Sequence, residues 1–242
     1  MRVLKSLDEL RAWRAQQDAS VALVPTMGNL HEGHLKLVDL ARQHASHVVV
    51  SIFVNPLQFG ANEDFDSYPR TLEADCALLA ERGASVVFAP QVSDVYPRGL
   101  VDQTFIEVPG ISDILCGASR PGHFRGVATI VAKLFNMVQP QIAIFGQKDY
   151  QQLQVIRLMT RDLSLPVAII GMPTERAADG LALSSRNGYL SDSERAQAPQ
   201  LYSALQQLKT AIQQGQNDAV ALQAATQQLN TNGFRVDYLE LR

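Results

Sequence analysis

Tryptophan appears once and cysteine twice in this 242-residue chain, and no apolar run approaches the length that crosses a bilayer. The longest such run, Val48–Val54, is the size of a strand. Cys76 and Cys116 stand far apart and share no metal-ligand spacing, which sets a zinc site aside. Cys76 falls among apolar residues of a helical pattern and reads as a buried, reduced thiol. An excess of base is missing too. Lys and Arg number 21 against 24 Asp and Glu, a formal net charge of −3, which argues against general affinity for nucleic acid or an anionic membrane. The opening Met-Arg-Val-Leu-Lys leads into an amphipathic, acid-containing stretch, unlike a cleavable leader. A soluble, cytoplasmic protein is the simplest expectation. Neither a Ser-His-Asp signature nor a dinucleotide fingerprint is present, which disfavours hydrolase and NAD chemistry.

Apolar residues make up 46% of the chain, enough for one large core or a large and a small one. Short β-branched runs at Val21–Pro25, Val48–Val54, Val86–Ala89, Thr104–Val108, Ile142–Phe145 and Val167–Ile170 read as strands. Helical periodicity fills Gly33–Ala45, Leu72–Arg82, Gly126–Val138 and Tyr150–Leu163. Near-continuous apolar strands alternating with helices predict an α/β fold, a Rossmann-like parallel sheet with helices on both faces. Beyond Leu190 the texture changes to Gln- and Ala-rich helices, about Ser191–Gln214 and Asp218–Asn230, meeting at Gly215. A strand-like Phe234–Leu241 follows. The expected division is residues 1–174, a nucleotide- and substrate-binding domain, and 175–242, a small α+β domain.

Open parallel sheets bind ligands beyond the carboxyl ends of their strands, so the residues after each strand carry the chemistry. The first strand ends in Pro25-Thr26-Met27-Gly28-Asn29-Leu30-His31-Glu32-Gly33-His34. Four residues separate Gly28 from Gly33, as in a P-loop, but His34 and Leu35 stand where Lys and Ser or Thr are needed. What remains is two imidazoles at a helix N-terminus, a place suited to phosphate oxygens and to the charge that builds during phosphoryl or nucleotidyl transfer. The second strand delivers Asn55 and Gln58, neutral amides that either hydrogen-bond a small polar substrate or stabilise their turn. After Ile142–Phe145 come Gly146, Gln147, Lys148 and Asp149. Lys148 is placed to reach a phosphate, and Gln152 lies one helical turn further on. Asp149 also suits a helix N-cap. The loop Leu183-Ser184-Ser185-Arg186 offers two hydroxyls and a guanidinium for a polyphosphate. His123 precedes another helix, either as a packing residue or as a ligand contact.

The His-x-Gly-His motif with a later Ser-Ser-Arg loop resembles the nucleotidyltransferase superfamily. Six segments in order, PTMGNLHEGH, FVNPLQFG, YPRT, HFRGV, GQKD and LALSSRNGYL, narrow the match. Over essentially the whole chain they resemble the pantothenate synthetase (pantoate–β-alanine ligase) family. The resemblance implies ATP-dependent condensation of (R)-pantoate with β-alanine through a pantoyl adenylate, releasing AMP and pyrophosphate, with Mg²⁺ present. By that likeness Met27 to His34 would cradle ATP, with His34 protonating or stabilising the phosphate and His31, Lys148 and Arg186 assisting. Gly146 to Asp149, the backbone at Glu175 and Leu183 to Arg186 would complete the nucleotide site. Gln58 and Gln152 would hold pantoate, with Asn55, Pro25 and Thr26 bordering it. Asp75 would help place Mg²⁺. The likeness further implies a homodimer and a chain continuing for about forty residues past the position of Arg242, adding strands to the small lid domain. Two rivals stand beside it: an adenylyltransferase acting on a phosphate-bearing substrate, and a nucleotide-binding protein without turnover.

Overall fold

A computed structural model describes residues 1–61 and 63–242. The chain divides into two compact units, Met1–Thr174 and Glu175–Arg242. The first contains β1 (Arg2–Leu4), α1 (Leu7–Arg14), β2 (Val21–Thr26), α2 (Glu32–His44), β3 (His47–Ile52), α3 (Leu72–Glu81) and β4 (Val86–Phe88). It continues with α4 (Val92–Val95), α5 (Cys116–Ser119), α6 (His123–Val138), β5 (Ile142–Gly146), α7 (Tyr150–Asp162) and β6 (Ala168–Met172). All six strands are parallel, in the order β1-β4-β3-β2-β5-β6.

Alternation along the strands feeds two cores. Val21, Leu23, Val49 and Phe145 face the layer of α1, α6 and α7, where Leu10, Trp13, Phe135 and Ile156 are buried. Ala22, Val24, Val50 and Ile144 face the layer of α2 and α3, with Val38 and Leu79. Because both faces are covered, the strands read as unbroken apolar runs. Truncating one of these side chains, as in Leu23→Ala, costs about 2–5 kcal/mol.

From β2 the chain steps outward to β3 and β4, then returns to place β5 on the other side of β2. The strand order therefore reverses between β2 and β5. Their ladder pairs Ala22 with Ile142 and Leu23 with Ala143. Beyond it both strands run on, β2 to Thr26 and β5 to Gly146. Pro25, with no N–H to donate, falls where that pairing has ended.

Three expectations are corrected. Thr104–Val108 is not a strand: the Ile106 N–H bonds to Thr129 Oγ1 on α6 at 3.0 Å, not to a neighbouring strand. Phe234–Leu241 is not a strand either. Among the described residues the second unit is helical, with a 3₁₀ segment Ser185–Tyr189, α8 (Asp192–Gln197), α9 (Gln200–Gln213), α10 (Asp218–Thr231) and one isolated bridge, Arg176 with Ala182. The single helix expected over Ser191–Gln214 is two, because Pro199 lacks the N–H that would carry the ladder across. The short strand β1 and helix α1, the latter started by a Ser6–Glu9 capping box, are additions that periodicity did not reveal. Neither cysteine is in a disulfide, and Cys76 is half-buried. No described helix is long and apolar enough to cross a membrane.

Candidate active site

The loop between β2 and α2 is held open by a carboxylate from a distant helix. Asp75, 2% exposed on α3, accepts from the Asn29 N–H at 2.9 Å, the Leu30 N–H at 2.8 Å and the Thr71 hydroxyl at 3.1 Å. Thr71 closes the YPRT segment, whose Arg70 binds the carbonyls of Phe65 and Tyr68. A buried carboxylate needs such donors, and charge-assisted bonds to amides are among the stronger ones. The loop turns through Gly28 (φ 84°) and Asn29 (φ 51°). A Cβ at Gly28 would sit 3.0 Å from Ile52 Cγ2 and 3.1 Å from Asp75 Oδ2, so glycine is needed on two counts. Thr26 ties the loop's start to β3, donating to the Ser51 carbonyl at 2.8 Å.

At the start of α2 the backbone donors are already engaged. The His31 N–H reaches His34 Nδ1 at 3.4 Å, the Gly33 N–H reaches His31 Nδ1 at 3.1 Å, and the His34 N–H bonds to the His31 carbonyl at 2.8 Å. The amides of His31, Gly33 and His34 are therefore engaged within the turn, and the two imidazoles keep the Nε2 side for other partners. An amide N–H can only donate, so each Nδ1 must be a bare acceptor and each ring's proton sits on Nε2. The rings lie 4.0 Å apart between centroids, tilted by 36°. Burial first, then the neighbouring charges of His31 and Lys148, hold His34 down to about 3. Burial and Lys148 lower His31 as well. The lowered values favour the uncharged form of both rings at neutral pH, in which each is an Nε2–H donor suited to stabilising a phosphate.

Lys148 enters from the 3₁₀ turn after β5, within electrostatic reach of both rings, and its Nζ lies 3.8 Å from Asp149. Gln147 is tied to β6 through the Gly171 carbonyl at 3.3 Å. Glu32 faces elsewhere: its carboxylate pairs with Arg82 at 2.7 Å, which also takes Asp39, so the one acid of the histidine motif is neutralised.

On the other flank, Asn55 is 1% exposed and fully used. Its Nδ2 donates to Gln58 Oε1 (3.1 Å) and the Gly126 carbonyl (3.2 Å); its Oδ1 accepts from Leu57 N–H (3.3 Å) and the Tyr96 hydroxyl (2.7 Å). Its side-chain donors and acceptors are thus all engaged within the protein, and through one of them Asn55 positions Gln58. Gln58 Nε2 is directed to Met27 Sδ at 3.1 Å, beside the first loop. Its carbonyl is held by His123 Nδ1 at 2.8 Å and Arg120 at 3.3 Å, and Arg120 is clamped by Glu63. His123 is thus a positioning residue. Gly126 permits the approach, since a Cβ there would lie 2.2 Å from the Leu57 carbonyl. Tyr96, Arg120 and Glu63 were missed as supports; nothing in their local spacing marks them. Gln152 lies half-buried on α7.

Arg186 and its neighbours belong to the second unit. There Asp179-Gly180 turns the chain so that Leu183 N–H bonds to the Glu175 carbonyl at 3.0 Å. Ser184 Oγ accepts from the Arg186 N–H at 3.3 Å, capping the 3₁₀ segment, and Asn187 Nδ2 bonds to the Ala182 carbonyl at 3.0 Å. Among the described residues no three His, Cys, Asp or Glu side chains gather as metal ligands. A divalent cation would find one carboxylate near the loop, Asp75, with three acceptor positions taken.

A parallel sheet whose order reverses beside two imidazole donors and a lysine defines a Rossmann-type α/β protein suited to an anionic, phosphate-bearing ligand. The chain belongs to the pantoate-beta-alanine ligase family, whose model matches residues 2–242. Pantothenate synthetase from Idiomarina loihiensis is 65% identical over 242 residues, spanning 100% of this chain and 86% of that protein. A crystal structure of pantothenate synthetase from Thermus thermophilus matches with TM-score 0.93 at 52% identity, over 98% of this chain and 86% of that one. The Francisella tularensis pantoate-beta-alanine ligase, solved with beta-gamma ATP and beta-alanine, matches with TM-score 0.89 at 35% identity, over 100% of this chain and 90% of that one.

Proposed function

We propose that this chain joins (R)-pantoate to β-alanine at the expense of ATP, through a pantoyl adenylate. The observation that carries the site assignment is the pair of Nε2–H donors beside Lys148 where β2 and β5 part. In the first step the pantoate carboxylate attacks the α-phosphorus and pyrophosphate leaves. Charge gathers on the phosphate oxygens, and preorganised neutral donors with one ammonium stabilise it without reorganising. Mg²⁺ neutralises phosphate charge when bound. Asp75, buried and already holding three donors, serves the loop, so a magnesium ion would be carried by the substrate phosphates and its own waters.

Gln58 and Gln152 hold pantoate, Gln58 being pre-aimed by Asn55. In the second step the β-alanine amine attacks the acyl carbon and expels AMP. The amine must first lose a proton. Both histidines have their Nδ1 occupied and their Nε2 protonated, so neither serves as that base, and the proton goes to water or the departing phosphate.

The test is sequential. Mg-ATP and pantoate are supplied and pyrophosphate followed; β-alanine is then added and AMP followed. Pyrophosphate release that precedes β-alanine, followed by AMP only on its addition, is the expected result. AMP release indifferent to β-alanine would show an adenylyltransferase instead, and absence of any adenylate would show a binding protein.

A further inference from the structure

We infer that Gln151 is a positioning residue: with Gln152 and Gln58 read as the contacts of pantoate, it fixes the one relative to the other. Gln151 stands beside Gln152 in the first turn of α7, half-buried, and its side chain is given to another part of the first unit. Its Nε2 donates to the Ile111 carbonyl at 2.7 Å and the Ile114 carbonyl at 2.8 Å, and its Oε1 accepts from the Cys116 N–H at 3.1 Å. Both amide protons are thereby engaged on one segment.

The segment so clamped is strained. Leu115 has φ 51° and ψ −120°, the geometry of the first central position of a type II′ turn, where glycine is the usual residue. The Gly117 N–H closes that turn on the Ile114 carbonyl at 2.8 Å. Gln151 bonds on both sides of Leu115, to the carbonyl before it and the amide after it. A non-glycine residue in such a conformation persists only where its surroundings over-determine it. Gly117 leaves no slack, since a Cβ there would collide with the Ser112 carbonyl.

From there the chain leads straight to Gln58. Cys116 gives its N–H to Gln151, and its carbonyl accepts from the Arg120 N–H at 2.9 Å. Arg120 and His123 in turn hold the Gln58 carbonyl. Asp149, just before α7, is within electrostatic reach of His123, so the start of that helix and this stretch lie side by side. One glutamine thus ties the turn that carries Gln152 to the stretch that holds Gln58. The histidine loop is anchored separately, by Asp75, and its donors should be indifferent to Gln151.

The experiment combines steady-state kinetics with amide exchange on the full chain. Gln151→Ala should raise the KM for pantoate about tenfold or more, with kcat and the KM for ATP changed less than about threefold. Exchange at Cys116, Gly117 and His123 should accelerate, and exchange at Asn29 and Leu30 should not. Gln151→Glu keeps the acceptor for Cys116 but, when ionised, turns charge on the two carbonyls; protonated, it donates to one of them. Burial raises a carboxyl pKa, so the pantoate KM of Gln151→Glu, relative to the parent at the same pH, should fall between about pH 8 and about pH 6. If Gln151→Ala does not fold, Gln151→Glu at the lower pH carries the test. Pantoate and ATP KM values rising together, no recovery at low pH, or unchanged exchange at Cys116 and His123 would overturn the assignment. A parent chain that releases no pyrophosphate with pantoate would sink the substrate reading instead, and the tie would still stand or fall on exchange at His123 and Gln58.

Discussion

The loop after β2, in the first unit, and the loop at 183–186, in the second, are held in opposite ways. The first is fixed from far along the chain: Asp75 from α3 grips Asn29 and Leu30, and Ser51 on β3 grips Thr26. The second is fixed by near neighbours, Glu175 with Leu183, Ala182 with Asn187, and Ser184 with its own 3₁₀ turn. Their surroundings differ to match. Large side chains of both sheet faces bury around the first unit, whereas the cluster around Leu208 in the second is completed by Ala221 and Ala225. Donors in the first unit are preorganised by the fold itself; those in the second by a locally closed turn.

Four changes break or sharpen that contrast. The largest effect is expected from His34→Ala, which removes a preorganised donor and one acceptor of the α2 cap. Adenylate formation should fall by about 10² or more with the fold retained, read as single-turnover pyrophosphate release. An unchanged rate would take His34 out of its role.

Asp75→Asn comes next. Its amide would turn two protons toward a loop that needs acceptors, leaving buried N–H groups unmatched. Global stability should drop by about 1–3 kcal/mol in urea unfolding, and amide exchange at Asn29 and Leu30 should accelerate. Stability equal to the parent would mean that the long-range anchor is not one.

A pH series sharpens the point further. His34 is held down to about 3 in the folded chain against an ordinary value near 6.5. Between those values the unfolded chain binds the proton and the folded chain does not, so stability is complete above about pH 6.5 and declines as pH falls toward 3. His31 adds to the same decline. A His34→Gln variant should show a shallower acid slope, and ¹⁵N imidazole shifts should report the Nε2–H tautomer for both rings. A doubly protonated His34 at pH 6 would contradict the donor arrangement.

The smallest change is Ser184→Ala. Loss of the cap should cost about 1 kcal/mol, confined to exchange in residues 184–189, with amides of the 26–34 loop untouched. A global loss as large as that from Asp75→Asn would erase the distinction between distant and local support.

Much of this was legible beforehand, and unevenly. β2, β3, β4, β5 and β6 were each located within a few residues, because strands covered on both faces leave continuous apolar runs. Thr104–Val108 has the same composition and is not a strand, since the Ile106 N–H goes to Thr129 on α6. The histidine motif and Lys148 stood out because they follow strands. The supports did not: Tyr96, Arg120 and Glu63 act across 41, 62 and 57 residues of sequence, and spacing in one dimension carries no trace of that. Asn55 was visible, but whether it faces a ligand or its own turn depends on four partners, two of them distant.

Composition and periodicity by themselves determined the α/β class, the parallel sheet and the strand ends at which chemistry collects, because burial on two faces and helical repeat are local properties of the chain. Only the tertiary structure decided which donors remain available there. Hydrogen-bonding capacity is finite, and Asp75, His31 and His34 consume the backbone amides that the motif alone had promised to a ligand. What remains uncommitted is two ring N–H groups, an outcome set by partners that folding brings together.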